Sequence, residues 1–191
     1  MAIAQRMSER DYIAFVESGI DGLWELHDGQ LVEKPGMSWQ HGRIVTRLVS
    51  ALDQQLNEDE HIIFTELRVR RSAETVFQPD VLVVPAEYGE TIETLPSLAI
   101  FSGPVSLVVE IWSSSTGDYD IDTKVPVYQQ RGDREIWRIH PYERTLTRWV
   151  RQADGTYRES EHRSGIVSLA ALPGVTIDLT ALFRMRGDEF N

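Results

Sequence analysis

Two acidic residues stand at the borders of the most apolar stretches of the chain. Asp80 follows Pro79 and runs straight into Val81-Leu82-Val83-Val84, while Glu110 follows Leu107-Val108-Val109 and precedes Ile111-Trp112. A carboxylate embedded in a buried strand needs a partner, because burying an unpaired charge costs several kcal/mol. If the two strands are neighbours, both carboxylates reach one point. Two bare carboxylates ~4 Å apart repel by about 1 kcal/mol in water and by ~4 kcal/mol at an effective dielectric of 20. A divalent cation between them turns that repulsion into attraction. Hard oxygen ligands with room for water favour magnesium or manganese over zinc. A plainer reading stands beside this one: Pro-Asp is a common dipeptide, and a strand glutamate is often exposed or salt-bridged. The pattern alone leaves both open.

The basic residues sharpen the question. Of 19 Lys+Arg in 191 residues, only Lys34 and Lys124 are lysines. Genomic base composition can favour arginine codons, but a lysine is a compact charge whose pKa responds to burial, whereas arginine stays protonated. There is no cysteine, which removes disulfides, thiolate zinc sites and cysteine nucleophiles together. The 41% hydrophobic content is that of a folded globular chain and excludes wholesale disorder. At roughly 150 residues per domain, one domain spanning 1–191 is expected. No stretch approaches ~18 apolar residues, and Met1 to Arg10 is too short and polar for a signal peptide, so a soluble cytoplasmic protein without a membrane partner is expected.

The elements that must position these residues follow from local pattern. Ser8-Glu9-Arg10-Asp11 reads as a capped helix start, followed by Tyr12, Ile13, Phe15 and Val16. Residues 23–26 and 30–33 flank His27-Asp28-Gly29, whose Asp-Gly pair suits a tight hairpin. Ile44, Val45, Leu48, Val49, Leu52 and Leu56 recur at helical spacing, which predicts a helix from about Ser38 to Leu56. Strands are predicted over 62–70, 76–84 and 105–112, the last two apolar on consecutive positions as central strands are. A helix is predicted over 120–130, then strands near 135–139, 145–150 and 156–158, and a strand-then-helix ending over 175–183. These elements predict an α/β or α+β fold around a mixed sheet, with a hairpin at the front and a meander at the back.

Taken together, the order and spacing of several weak motifs resemble the Uma-two family of bacterial proteins, which are similar to PD-(D/E)XK restriction endonucleases. The resemblance runs from about Tyr12 to Phe183. It rests on the segment from Trp24 to Glu33, Ser38 and His41, Gln78-Pro79-Asp80-Val81, and Leu107-Val108-Val109-Glu110-Ile111. It continues through Ser113-Ser114-Ser115-Thr116, Asp120, Lys124, Tyr128, Gly132 to Trp137, and Leu172-Pro173-Gly174. In the wider superfamily a lysine lies two residues after the second acid; here that position is Trp112. The Uma-two pattern carries its lysine on the following helix, where this chain has Lys124.

The resemblance implies a restriction-endonuclease-like core over about 8–183: a central mixed β-sheet flanked by helices, an N-terminal hairpin and a C-terminal β-meander. It implies a metal-dependent endonuclease acting on DNA phosphodiester bonds. Asp80, Glu110 and the backbone carbonyl of Ile111 would hold Mg2+ or Mn2+, and Lys124 would orient the attacking water or offset charge in the transition state. Glu25 would be a further ligand, directly or through water, with His41 and Gln78 supporting the ligands. A homodimer would suit cutting of a duplex. Pro126, two residues after Lys124, kinks the helix unless it lies in the first turn. Lys34, beside Pro35 and Gly36, reads as an exposed loop residue. The net charge of −11 opposes nucleic-acid binding. Arginines nevertheless gather at 68, 70 and 71, at 131, 134 and 138, and at 144, 148 and 151. They form either a local basic stripe or pairs with the many acids, and the paired reading fits the composition better. A catalytically weak or inactive nuclease-like binding or assembly protein is the alternative function.

Overall fold

The computed structural model describes residues 6–34, 36–89, 98–114 and 119–184. Ser115 and Thr116 of the serine-rich motif lie outside them. Helix α1 (Glu9–Glu17) starts at Ser8, whose hydroxyl accepts the Asp11 N–H. Strands β1 (Leu23–His27) and β2 (Gln30–Lys34) pair antiparallel through a turn at Asp28 and Gly29. Both turn residues have positive φ (46° and 77°), as a right-twisted hairpin requires. Helix α2 (Trp39–Asp53) is capped by Ser38 and buries His41, Ile44, Leu48 and Leu52, one stripe at helical spacing.

The segments predicted as single strands over 62–70 and 76–84 are each broken in two. Strands β3 (His61–Thr65) and β6 (Val81–Pro85) belong to one sheet, whereas β4 (Arg68–Ser72) and β5 (Thr75–Phe77) belong to another. Glu66 adopts φ 60°, which ends β3. Pro79 has no N–H for a ladder, which ends β5 before Asp80. Between β3 and β6 the chain therefore passes between the sheets twice, and Asp80 stands at the second of these crossings.

The remaining elements complete the sheets. They are β7 (Ile100–Phe101), β8 (Leu107–Ile111), β9 (Glu135–His140), β10 (Thr145–Arg151) and β11 (Tyr157–His162). One sheet has the order β2-β1-β5-β4-β7, the other β11-β10-β9-β8-β6-β3. In the larger sheet β8 and β9 are parallel, and their crossover carries the wide π-helical turn Asp120–Lys124 and helix α3 (Val125–Arg131). A ribbon of β12 (Ile166–Ser168) and β13 (Thr176–Asp178) and a short helix α4 (Leu179–Phe183) close the described chain. This is a mixed α/β fold with central mixed sheets flanked by helices.

Both faces of the larger sheet are covered, which explains the unbroken apolar runs. Val81, Val83, Leu107, Val109 and Ile111 pack under α2 and α4, while Leu82, Val84 and Val108 pack under α3 and the smaller sheet. Of the two readings of the arginines, the basic stripe at 68 and 70 is not the one the structure shows. Arg68 is buried, and its Nε donates to the Tyr12 hydroxyl at 2.9 Å, while Arg70 pairs with Glu9. Arg131 pairs with Asp133 and Arg148 with Glu135, so in each cluster at least one arginine is committed to the fold.

Candidate active site

Strands β6 and β8 are antiparallel neighbours with Val81 opposite Val109, which sets Asp80 beside Glu110. The Asp80 N–H donates to the Val109 carbonyl at 3.1 Å, and Asp80 Oδ2 accepts the Ile111 N–H at 2.7 Å. Glu25 arrives from the smaller sheet. Its Oε1 accepts the Gln78 N–H at 2.7 Å, a donor freed because β5 stops at Phe77. Gln78 also donates its side-chain amide to the Glu66 carbonyl at 2.8 Å, tying the two crossings together. The acids line a cavity of about 260 Å³ at the junction of the two sheets, shared with Lys34, His41, Tyr119, Asp120 and Lys124.

Lys124 is buried at the end of the π-helical turn. Its Nζ lies 2.9 Å from Glu25 Oε1, 3.1 Å from Glu110 Oε1 and 3.7 Å from Asp120 Oδ1. The rings of Phe77 and Tyr119 stand 5.8 Å from the same ammonium. One helical turn on, the Tyr128 hydroxyl donates to Glu110 Oε1 at 2.5 Å. Pro126 falls in the first turn of α3, a position that tolerates proline. The turn before it is widened, with the Val125 N–H reaching the Asp120 carbonyl. A proline ring crowds the carbonyl four residues back, and the wider turn relieves that crowding.

The expectation for Lys34 is overturned. It ends β2 and its side chain is only 12% exposed, with Nζ 2.9 Å from Asp80 Oδ1 and 2.6 Å from the Gln78 carbonyl. His41, at the site end of the α2 stripe, places Nε2 3.4 Å from the same Asp80 oxygen. The signal was present in the hairpin. The Asp28-Gly29 turn sets Glu25 opposite Val32 and Leu23 opposite Lys34, so Lys34 shares a sheet face with Glu25.

The electrostatics differ across the pocket. Burial would raise the Asp80 carboxyl, but Lys34, His41 and the Ile111 amide outweigh it and hold Asp80 well below the usual carboxylate range. Glu110 moves the other way. Burial, reinforced by Asp120 and Asp80, outweighs Lys124 and pushes it up to about 8. Asp120 is pushed up to about 6, chiefly by burial. Burial alone would lower the Lys124 ammonium, yet Glu110, Glu25 and Asp120 reverse this and hold it well above its ordinary value. Burial, with Glu110 and Glu25 adding to it, keeps the Tyr128 hydroxyl protonated.

The model of the Uma2 family, described as "Putative restriction endonuclease", matches residues 12–180. The chain belongs to the Uma2 family. Its fold is also that of a crystal structure from Anabaena variabilis titled as a "putative nuclease belonging to DUF820". The TM-score is 0.74 at 17% identity, over 93% of this chain and 97% of that one. At that identity the likeness is one of fold. No curated protein matches the chain.

Uma2 membership connects this chain with the PD-(D/E)XK superfamily, so the fit of a divalent ion must be judged on the donors present. Among the described residues no group of three or more His, Asp or Glu is arranged to hold a metal. Magnesium does not need such a cage; it keeps several waters and takes one or two carboxylates plus substrate phosphate oxygens. Asp80, Glu110 and the neighbouring Ile111 carbonyl are donors of that hard type. When ionised, the six acids that line the cavity (Glu25, Glu33, Glu66, Asp80, Glu110 and Asp120) carry four negative charges more than its two lysines balance. The donor set therefore fits magnesium or manganese.

Proposed function

We propose that this Uma2 chain is a divalent-metal-dependent endonuclease that hydrolyses DNA phosphodiester bonds. The observation that supports it most is the meeting of Asp80, Glu110 and Lys124 in one cavity, although they lie on three elements spread over 45 residues. Asp80, Glu110 and the Ile111 carbonyl would hold Mg2+ or Mn2+. Bound there, the ion lowers the pKa of a coordinated water and offsets charge on the phosphate. Lys124, kept charged by three acids, would present its ammonium to orient that water or to stabilise the added charge of the transition state. Glu25 fixes Lys124 through a direct ion pair and reaches the metal side directly or through water. Tyr128, held as a donor to Glu110, fixes that carboxylate's orientation. His41 and Gln78 support Asp80 and Glu25 respectively.

Incubation of the purified protein with plasmid DNA and manganese tests the proposal. Cleavage should appear in the wild type and fall by at least about a hundredfold in Asp80→Ala and Lys124→Ala. Cleavage that survives both substitutions assigns the activity elsewhere and ends the proposal. The ammonium of Lys34 on Asp80, together with the net charge of −11, favours a second reading: a nuclease-like binding or assembly protein with weak or lost catalysis. Manganese binding without any cleavage would support that reading.

A further inference from the structure

Lys34 meets two hard oxygens of different kinds, the charged Asp80 Oδ1 at 2.9 Å and the neutral Gln78 carbonyl at 2.6 Å. A carboxylate and a carbonyl converging on one point are the donors a divalent ion takes. Here the point is filled by an ammonium on a covalent tether. The tether is short and fixed: Lys34 is the last residue of β2, the hairpin register is set by the Asp28-Gly29 turn, and the side chain is nearly buried. Asp80 is thus shared. Oδ1 serves Lys34 and faces His41, while Oδ2 accepts the Ile111 amide.

We propose that Lys34 is a tethered cation that holds the position between Asp80 and the Gln78 carbonyl and weakens divalent-ion binding through Asp80. The inference rests on the reading of Asp80 and Glu110 as metal ligands. Like charges repel strongly in a buried cavity, so an ammonium seated 2.9 Å from Asp80 Oδ1 opposes a divalent ion that uses the same carboxylate. Lys124 does not compete in the same way, because its ammonium is divided among Glu25, Glu110 and Asp120 rather than seated on Asp80. Lys34 therefore acts as a positioning residue, through Asp80.

Calorimetric titration of the full chain with Mn2+ tests this, with thermal unfolding to show that each variant is folded. Lys34→Gln should bind Mn2+ roughly tenfold more tightly than the wild type or better, and Lys34→Arg, which keeps the charge, should stay near the wild type. A lysine with a merely structural role would loosen binding when removed, so tightening is the distinguishing result. Unchanged or weaker binding in Lys34→Gln overturns the inference. Lys34→Arg matching Lys34→Gln also overturns it, because shape rather than charge would then set the affinity. If the wild type binds Mn2+, Asp80→Asn abolishes that binding and Lys34→Gln changes nothing, the inference alone falls. If wild type and Lys34→Gln are both folded and neither binds Mn2+, the metal reading falls with it.

Discussion

The two lysines hold the two halves of one cavity in opposite ways. On the Asp80 side a single carboxylate receives an ammonium, an imidazole and a backbone amide, and it is held ionised far into acid. On the Glu110 side one ammonium is divided among three carboxylates, and burial, reinforced by the neighbouring acids, pushes Glu110 up to about 8. The same kind of side chain gives a satisfied acid in one place and an undercompensated acid a few ångströms away. The ratio of acids to cations decides, since both halves are almost equally buried. A divalent ion entering such a pocket gains most on the undercompensated side.

The largest break in this comparison should come from Lys124. Lys124→Ala leaves Glu25, Glu110 and Asp120 buried without their common cation, and removing one partner of a buried pair costs about 3–5 kcal/mol. Denaturant unfolding in chelator should show that loss, with Lys34→Ala costing clearly less because its side chain retains some contact with solvent and frees only one acid. Equal losses would mean that the two halves are not held differently.

The pH dependence should separate the halves by sign. Glu110 has a folded value above its ordinary 4.5, so the folded state binds the extra proton. Its contribution to stability is complete below about pH 4.5 and is lost as pH rises through about 8. Asp80 has a folded value below its ordinary 3.8, so its contribution is present above that pH and is lost as pH falls further. In chelator, Glu110→Gln should flatten the decline of the unfolding temperature between pH 4.5 and 8. Asp80→Asn should flatten the acid limb below pH 4. A Glu110→Gln profile that keeps the full alkaline decline would place the surplus charge on another group.

Much of this arrangement was legible before any coordinates. Asp80, Glu110 and Lys124 stand out because two acids interrupt buried strands and lysine is rare in the chain. The hairpin and α2 were readable from an Asp-Gly turn and a regular apolar stripe. What escaped the reading was where the chain changes sheets. Ile62 to Arg70 and Val76 to Val84 look like continuous strands because β-propensity is a property of short windows. The breaks depend on one backbone angle at Glu66 and one missing donor at Pro79. Lys34 escaped because its neighbours Pro35 and Gly36 suggest a loop, although the hairpin register already put it on the face of Glu25. Tertiary register, unlike local propensity, decides that Lys34 faces the cavity as Lys124 does.

The smallest expected effect concerns Pro126. It lies in the first turn of α3, just after the widened turn that ends in Lys124. A proline at a compatible position stabilises a fold chiefly by restricting the unfolded chain, so Pro126→Ala should cost only about 0.4–1 kcal/mol. Lys124 should keep its place, because three carboxylates and two aromatic rings fix the ammonium independently of the proline. Denaturant midpoints with an unchanged slope, alongside Mn2+ affinity equal to the wild type, would show this. A loss comparable to that of Lys124→Ala would instead mean that the wide turn, rather than the acids, holds Lys124 in the pocket. The Glu110 half would then owe its shape to the backbone, whereas the Asp80 half owes its shape to the hairpin register.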